Sequence, residues 1–367
     1  MDNRDERRSL EMVESVMTWY KSSQMRWHYE HGLMIHSALE VAKEYAKDEI
    51  VRWAYSMYDP FIASDGSIAT YRQGEYNLDQ INAGRVLFAL YDYSKEERFL
   101  LAANLLKRQL NTQPRTFSGI FWHKEIYPWQ VWLDGLYMQG PFNAQFCKVS
   151  SDVPGFDDVV RQLVDTYHTL RDEKSGLLFH AWDESRGMRW SDEKTGLSTY
   201  VWGRALGWYL MACLDVLDIL PAKHPGIADL KGIIATLLSH LLPCQSESGM
   251  WYQVVDKGGW EGNYLETSGT AMFAYSMLKA VRLGIVEEEP FVSSALKALS
   301  DVEGRFVRTD RDGCLHLGGI CSVAGLGGNP YRDGSFPYYV SEPVVEDDFK
   351  GVGSYVLAQL EAERRRG

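Results

Sequence analysis

Apolar residues recur along much of the chain at three- and four-residue steps, which is the spacing of one face of an α-helix. The segments 99–110, 159–170 and 227–241 show this one-sided pattern most clearly. The segments 205–220 and 269–278 are instead apolar nearly all round, which is typical of helices buried on every side. The two kinds of segment alternate, so we expect an inner and an outer class of helix.

The pattern predicts about twelve helices, equivalent to six hairpins. Their approximate bounds are 8–22, 30–46, 48–63, 78–91, 95–110, 131–147, 154–170, 202–218, 224–242, 267–283, 290–302 and 350–364. Six inner helices surrounded by six outer ones satisfy the alternation. We therefore predict an all-α fold, the (α/α)6 toroid or six-hairpin barrel. No linker rich in Pro, Gly or Ser divides the chain, so we expect one catalytic domain over residues 1–367.

Composition narrows the classes of partner. Hydrophobic residues make up 45% of the 367 residues and charged residues 24%, as in globular proteins with a large core. The formal net charge of −12 argues against nucleic acid and anionic membrane surfaces, since both require a basic footprint. We see no run of about 18 apolar residues and no apolar run at the start of the sequence. We therefore expect no membrane span, no secretory signal and a cytoplasmic location.

Neither the cysteines nor the histidines suggest a bound metal. The five cysteines are odd in number and scattered, without a Cys-x-x-Cys pair, so neither a disulfide framework nor a zinc site is expected. His28, His31 and His36 lack the spacing of a helical zinc motif, and the last two do not share a helix face. We expect no metal and no cofactor.

Polar and aromatic residues cluster at the predicted starts of the inner helices. The clusters are 27–30, 76–79, 129–134, 202–204, 264–267 and 347–351. In a toroid with parallel inner helices these six starts meet at one mouth, where helix N-termini favour negative charge. A pocket lined by Tyr, Trp, Asp, Glu and Arg suits a sugar, because aromatic faces stack on sugar rings and charged groups bind hydroxyls and carboxylates. We expect a small oligosaccharide as the partner.

The segment around Asp134 resembles a known signature. The stretch from Trp122 to Met138, which includes Tyr127-Pro128-Trp129-Gln130-Val131-Trp132-Leu133-Asp134-Gly135, is similar to that of the unsaturated rhamnogalacturonyl hydrolases, glycoside hydrolase family 105. Segments 76–85, 178–183, 202–209 and 265–271 resemble further motifs of the family in the expected order. The likeness extends from about residue 27 to residue 353. Several motifs in order are much more specific than any one of them.

The resemblance implies a particular chemistry. Enzymes of this family remove the 4,5-unsaturated galacturonyl group that pectin lyases leave at the non-reducing end. They hydrate the enol-ether double bond, and the resulting hemiketal opens and releases the neighbouring sugar, usually rhamnose. One carboxyl group can do this, since it protonates C4 as an acid and accepts a proton from the water adding at C5 as a base. The resemblance assigns this role to Asp134.

The resemblance also implies roles for other residues. Asp79 is the second catalytic acid, expected to hold sugar hydroxyls and to raise the proton affinity of Asp134 by like-charge proximity. The remaining expected substrate-binding residues are His123, Lys124, His180 and Arg204 as donors to the substrate and its carboxylate, Tyr29, Trp202 and Trp208 as stacking surface, and Arg332 as a further candidate for the uronate. The glycine-rich tract 318–328 is expected to be a loop, with the pocket as one region it could cover.

Simpler interpretations remain open at this stage. An Asp near a helix start is often an N-cap, and most tryptophans pack in cores. The same toroid also suits an inverting glycosidase, with Asp79 and Asp134 about 6.5 to 9.5 Å apart, or a sugar epimerase. A carbohydrate-binding protein without catalysis would keep the same aromatic pocket. The sequence gives no prediction of oligomeric state.

Overall fold

The computed structural model describes residues 7–366, and in this range the chain forms thirteen α-helices. They are α1 (Arg8–Trp19), α2 (Tyr29–Tyr45), α3 (Asp48–Tyr58), α4 (Arg85–Ser94), α5 (Glu97–Thr112), α6 (Leu133–Ser150), α7 (Val153–Leu170), α8 (Gly203–Ile219), α9 (Ile227–Leu241), α10 (Thr267–Arg282), α11 (Phe291–Phe306), α12 (Phe336–Ser341) and α13 (Phe349–Arg364). The twelve predicted helices are all present. The short α12 was not predicted.

Six helices form a closed inner ring. Helices α2, α4, α6, α8, α10 and α13 each pack on the next, and α13 packs back on α2. Each of α1, α3, α5, α7, α9 and α11 lies outside the ring between two neighbouring inner helices. The burial follows the sequence pattern, because α8 and α10 are buried on all sides whereas α9 buries a single apolar row. The predicted (α/α)6 toroid is confirmed.

The predicted helix 78–91 begins differently in the structure. Residues 78–80 and 82–84 form 3-10 turns, and the α-helix starts only at Arg85. Asn77 caps the first turn by accepting a hydrogen bond from the backbone N–H of Asp79 at 3.0 Å. A side chain at Gly32 of α2 would lie 2.6 Å from the Cα of Ala83, so α2 packs directly on the second turn. The turns therefore place Asp79 at the mouth beside α2.

Three short antiparallel β-ladders, which were not predicted, complete the fold. β1 (Gln130–Trp132) pairs with β2 (Ala181–Asp183), β3 (Val307–Thr309) with β4 (Leu315–Leu317), and β5 (Ile320–Cys321) with β6 (Val344–Val345). The first ladder leads straight into α6, and the N–H of Leu133 donates to the carbonyl of His180 at 3.1 Å. This pairing brings the loop of His180 next to Asp134.

One segment is apolar enough on average to span a membrane by length and composition alone. It is the 18-residue stretch Ile227–Cys244, with a mean hydropathy of 1.4, and it includes Asp229 and Lys231. In the structure these residues form α9 and a following 3-10 turn, and the apolar row of α9 packs against α7 and α8.

The far end of the ring holds a cavity of about 790 Å³, lined by all six inner helices. There Asp215 accepts from Arg85 Nη2 at 2.9 Å, from Lys279 Nζ at 2.8 Å and from the Tyr275 hydroxyl at 2.6 Å. These contacts join α4, α8 and α10 at the cavity.

Candidate active site

Asp134 is the second residue of α6, and its side chain is 15% exposed. Its Oδ2 lies 3.4 Å from Nε2 of His180, which is fully buried. Both atoms are buried, and among the described residues neither has a hydrogen-bond partner. Buried polar atoms are nearly always paired, so two unpaired ones facing each other suggest a functional site. Asp134 also makes no capping hydrogen bond to the start of α6, which excludes the N-cap interpretation.

The second carboxylate, Asp79, is held by two cationic or polar groups. Lys124 Nζ lies 2.5 Å from Asp79 Oδ2, and His123 Nε2 lies 3.5 Å from Oδ1. Burial alone would raise the pKa of Asp79, but Lys124 and His123 lower it to about 2. Burial lowers the pKa of His123 to about 4, so its ring is neutral near neutral pH. Asp79 is therefore a carboxylate paired with a lysine, which weakens the like-charge effect on Asp134 that the sequence led us to expect.

A row of aromatic rings, the aromatic wall, leads from His123 beside Asp79 to His180 beside Asp134. Trp132 stacks on His123 with ring centroids 4.9 Å apart and on Tyr127 at 5.0 Å, and its edge meets His180 at 5.3 Å. The Tyr127 hydroxyl accepts a hydrogen bond from Arg332 Nη2 at 3.2 Å. Arg332 thus lies at the aromatic wall, shortly after the glycine-rich tract 318–328, whose Leu326 packs with Trp132 and Trp190. The tract was expected to be a loop, and it is one apart from the two residues of β5.

Arg204 and Trp202 lie behind His180. Trp202 is 4.8 Å from the His180 ring, and the Arg204 guanidinium lies 4.8 Å over the Trp202 ring. Arg204 is buried and donates to the carbonyl of Cys321 and, at 3.3 Å, to Ser268 Oγ, while its Nε is unpaired. Burial would lower the pKa of Arg204, but the nearby Cys321 and Glu266 hold it above its ordinary value. Arg204 is therefore a permanent cation stacked on Trp202, the ring that contacts His180.

The two tryptophans expected to stack on sugar are not at the surface. Trp202 and Trp208 are fully buried. Trp208 packs between Tyr137, at 4.8 Å, and the edge of Tyr29, at 6.0 Å. Burial and the charges of Glu30 and Asp79 raise the pKa of Tyr29 well above its ordinary value, so its hydroxyl keeps its proton. Trp202 and Trp208 therefore support the pocket from behind and offer no open ring face.

Exposed aromatic surface occurs on the neighbouring loops instead. The Phe117 ring is 89% exposed and stacks on Trp129 at 4.8 Å. Glu184 accepts from the backbone N–H of Phe117 at 2.6 Å and of Ser118 at 3.2 Å, which fixes this loop. Trp129 belongs to the segment that also carries Trp132 and Asp134. An open stacked pair next to the acid segment is suited to contact with a sugar ring.

The histidines that could suggest a metal site do not converge. His31 Nδ1 is bound to the Tyr20 hydroxyl at 2.5 Å, and His36 lines the cavity at the far end of the ring. The described residues do place His316, Glu346 and Asp347 close enough to share an ion. Both ring nitrogens of His316, however, bind carboxylates, Asp347 at 2.6 Å and Asp310 at 3.2 Å. These contacts explain the cluster without an ion.

The family model of Glycosyl Hydrolase Family 88 matches residues 6–366, which is nearly the whole chain. The chain belongs to this family. It is therefore a glycoside hydrolase of the unsaturated uronyl hydrolase group, and the prediction of an enzyme is confirmed. The interpretation as a carbohydrate-binding protein without catalysis is set aside.

Similar proteins agree with this assignment. A structure of a family 105 glycoside hydrolase from C. acetobutylicum ATCC 824 is 40% identical, with a TM-score of 0.94 and coverage of 98% of this chain and 99% of that one. The unsaturated rhamnogalacturonyl hydrolase YesR of Bacillus subtilis strain 168 is 24% identical over 310 residues, 83% of this chain and 85% of that protein. The unsaturated glucuronyl hydrolase of Bacillus sp. GL1 is 13% identical, with a TM-score of 0.68 and coverage of 97% and 95%, and shares the fold. The resemblance to family 105 is confirmed.

The structure of this family 88 member also contains site residues that we did not predict. Trp132 and Tyr127 belong to the aromatic wall, and both lie in the motif that carries Asp134, so the motif held a signal for them. Tyr339, on α12, contacts His180 and lies in none of the family motifs found in the sequence. Only the fold brings Tyr339 to the site.

Proposed function

We propose that this enzyme removes the 4,5-unsaturated galacturonyl group from the non-reducing end of rhamnogalacturonan-derived oligosaccharides by hydrating the double bond. The proposal rests on the different hydrogen-bond partners of the two carboxylates. Asp134 has an unpaired, buried oxygen beside His180, whereas Asp79 is ionised and paired with Lys124. Only Asp134 is free to exchange a proton with a substrate.

The reaction then follows in two proton transfers. The Asp134 O–H bond breaks as its proton bonds to C4, and the positive charge spreads over C5 and the ring oxygen. Water adds to C5 and its proton returns to the Asp134 carboxylate, which restores the acid. The hemiketal at C5 opens and releases the neighbouring sugar. Asp79 takes no proton in this scheme, since its low pKa keeps it anionic, and it accepts hydrogen bonds from sugar hydroxyls.

Cations near the acid suit an anionic substrate. Arg332 reaches the aromatic wall from the segment that follows the glycine-rich tract, Lys124 pairs with Asp79, and Arg204 lies over the Trp202 ring next to His180. We assign the uronate carboxylate to Arg332, because Arg204 is buried behind Trp202. The similarity to YesR supports a galacturonyl substrate with rhamnose next to it. We further infer that residues 1–367 act as one catalytic domain, because within residues 7–366 the ring of inner helices closes through the contact of α13 with α2.

The test is turnover of an unsaturated rhamnogalacturonan disaccharide, followed by the ultraviolet absorbance of its conjugated double bond. We expect the absorbance to disappear while rhamnose is released in equal amount. An unsaturated glucuronyl disaccharide serves as the comparison substrate and should react more slowly. If the absorbance persists while a saturated galacturonide is cleaved, the enzyme is an inverting glycosidase on the same toroid, and an interconversion of sugars without cleavage would indicate an epimerase.

A further inference from the structure

We infer that Tyr339 is a positioning residue, whose hydroxyl fixes His180 in the tautomer that carries its proton on Nε2, facing Asp134. The inference rests on the proposed function of Asp134 and goes beyond it. It assigns a role to a residue on α12, 205 positions away from the acid. The argument depends on three groups in a row: the Tyr339 hydroxyl, the His180 ring and the Asp134 carboxyl.

The hydrogen bond decides the tautomer. The Tyr339 oxygen lies 2.8 Å from His180 Nδ1, and both side chains are fully buried. Among the described residues, His180 Nδ1 is the only hydrogen-bond partner that this hydroxyl has. A buried O–H group is costly to leave without an acceptor, so the hydroxyl donates and Nδ1 accepts. The neutral ring then carries its proton on Nε2, 3.4 Å from Asp134 Oδ2.

Tyr339 is held firmly enough to impose this choice. Its backbone N–H donates to the Ser335 carbonyl at 3.1 Å, and its own carbonyl accepts from Gln253 Nε2 at 3.1 Å. Gln253 also accepts from the Trp202 ring N–H at 3.1 Å, and the Trp202 and Tyr339 rings stack. Burial raises the pKa of Tyr339 well above its ordinary value, so the hydroxyl remains protonated near neutral pH.

The tautomer matters for the fate of the catalytic proton. A bare Nε2 would direct its lone pair at Asp134 Oδ2, 3.4 Å away, and would accept the hydrogen that the carboxyl group must deliver to C4. With a proton already on Nε2, His180 has no lone pair on that side. It can only donate a hydrogen bond, which stabilises the Asp134 carboxylate formed after its proton moves to C4.

The first test uses Tyr339→Phe, which removes only the hydroxyl. We expect kcat on the unsaturated disaccharide to fall about 10- to 100-fold, because the His180 tautomer is no longer fixed, with KM changed less than about twofold. The matched control is Tyr209→Phe, which also removes a fully buried hydroxyl. The Tyr209 hydroxyl donates to the Leu163 carbonyl at 2.8 Å and so joins α8 to α7. The control should keep the wild-type kcat.

The second test needs no variant and no turnover. In protein with 15N-labelled histidine, nuclear magnetic resonance distinguishes a protonated ring nitrogen from a bare one. We expect His180 to show a protonated Nε2 and a bare Nδ1, and the preference to be lost in Tyr339→Phe. A protonated Nδ1 in the unaltered protein overturns the inference, and so does an unchanged kcat in Tyr339→Phe. If the unaltered protein does not consume the unsaturated substrate, the proposed function fails, whereas the tautomer is still decided by the spectrum.

Discussion

Lys124 is the main counter-charge of Asp79, and replacing it with methionine should produce a loss of stability that depends on pH. The folded-state pKa of Asp79, about 2, lies below the ordinary carboxyl value of about 3.9. Ionised Asp79 therefore contributes stability that is complete above the ordinary value and is lost as the pH falls through the folded value. The difference of about 1.9 pKa units corresponds to about 2.6 kcal/mol at pH 7 and about 1.4 kcal/mol at pH 3.

Lys124→Met removes this contribution and, at pH 7, leaves the Asp79 carboxylate buried beside a neutral His123. We expect the free energy of unfolding, measured by urea denaturation, to fall by about 2 to 3 kcal/mol at pH 7 and by about half as much at pH 3. The control Lys223→Met removes an exposed lysine and should change the stability by less than about 0.5 kcal/mol at either pH. A loss below about 1 kcal/mol at pH 7, or an equal loss at both pH values, would refute the reasoning.

Three further predictions concern other parts of the molecule. Asp134→Asn should lower kcat at least about 100-fold while the protein still binds the disaccharide in calorimetry, since an amide cannot supply the proton. Asp215→Ala should lower the free energy of unfolding by about 3 to 5 kcal/mol, measured in urea, because Arg85 and Lys279 lose their shared carboxylate. Phe117→Ala should raise KM about threefold or more for unsaturated tetrasaccharides and leave KM for the disaccharide unchanged, if its ring stacks on a distant sugar.

The helical pattern was sufficient to predict the toroid. Inner helices such as α8 need apolar surface on every side and outer helices such as α9 need one row, and each requirement is visible in the order of the residues. The start of α4 was less predictable. Residues 78–84 have a helix-like composition, but the close packing of Ala83 on Gly32 and the cap from Asn77 favour 3-10 turns.

The site was only partly predictable for a physical reason. Asp134, Asp79, His123 and Lys124 lie in motifs, so their types and order were informative. Contacts between distant segments are not visible in these motifs, as when Tyr339 reaches His180 from a six-residue helix that has no periodic pattern. The burial of individual side chains was also not visible in the sequence. The sequence indicated that Trp202 and Trp208 belong to the site, but only the fold shows that both lie behind the pocket.

The central claim is that the enzyme adds a proton to C4 of an unsaturated uronyl group through Asp134, and one measurement tests it directly. The unsaturated disaccharide is converted in D2O, and the uronyl product is examined by nuclear magnetic resonance. The account predicts one deuterium at C4 in the product of the wild-type enzyme, formed at the rate at which the ultraviolet absorbance disappears, and essentially no product with Asp134→Asn. Release of rhamnose with the C4–C5 double bond intact and no deuterium at C4 would contradict it.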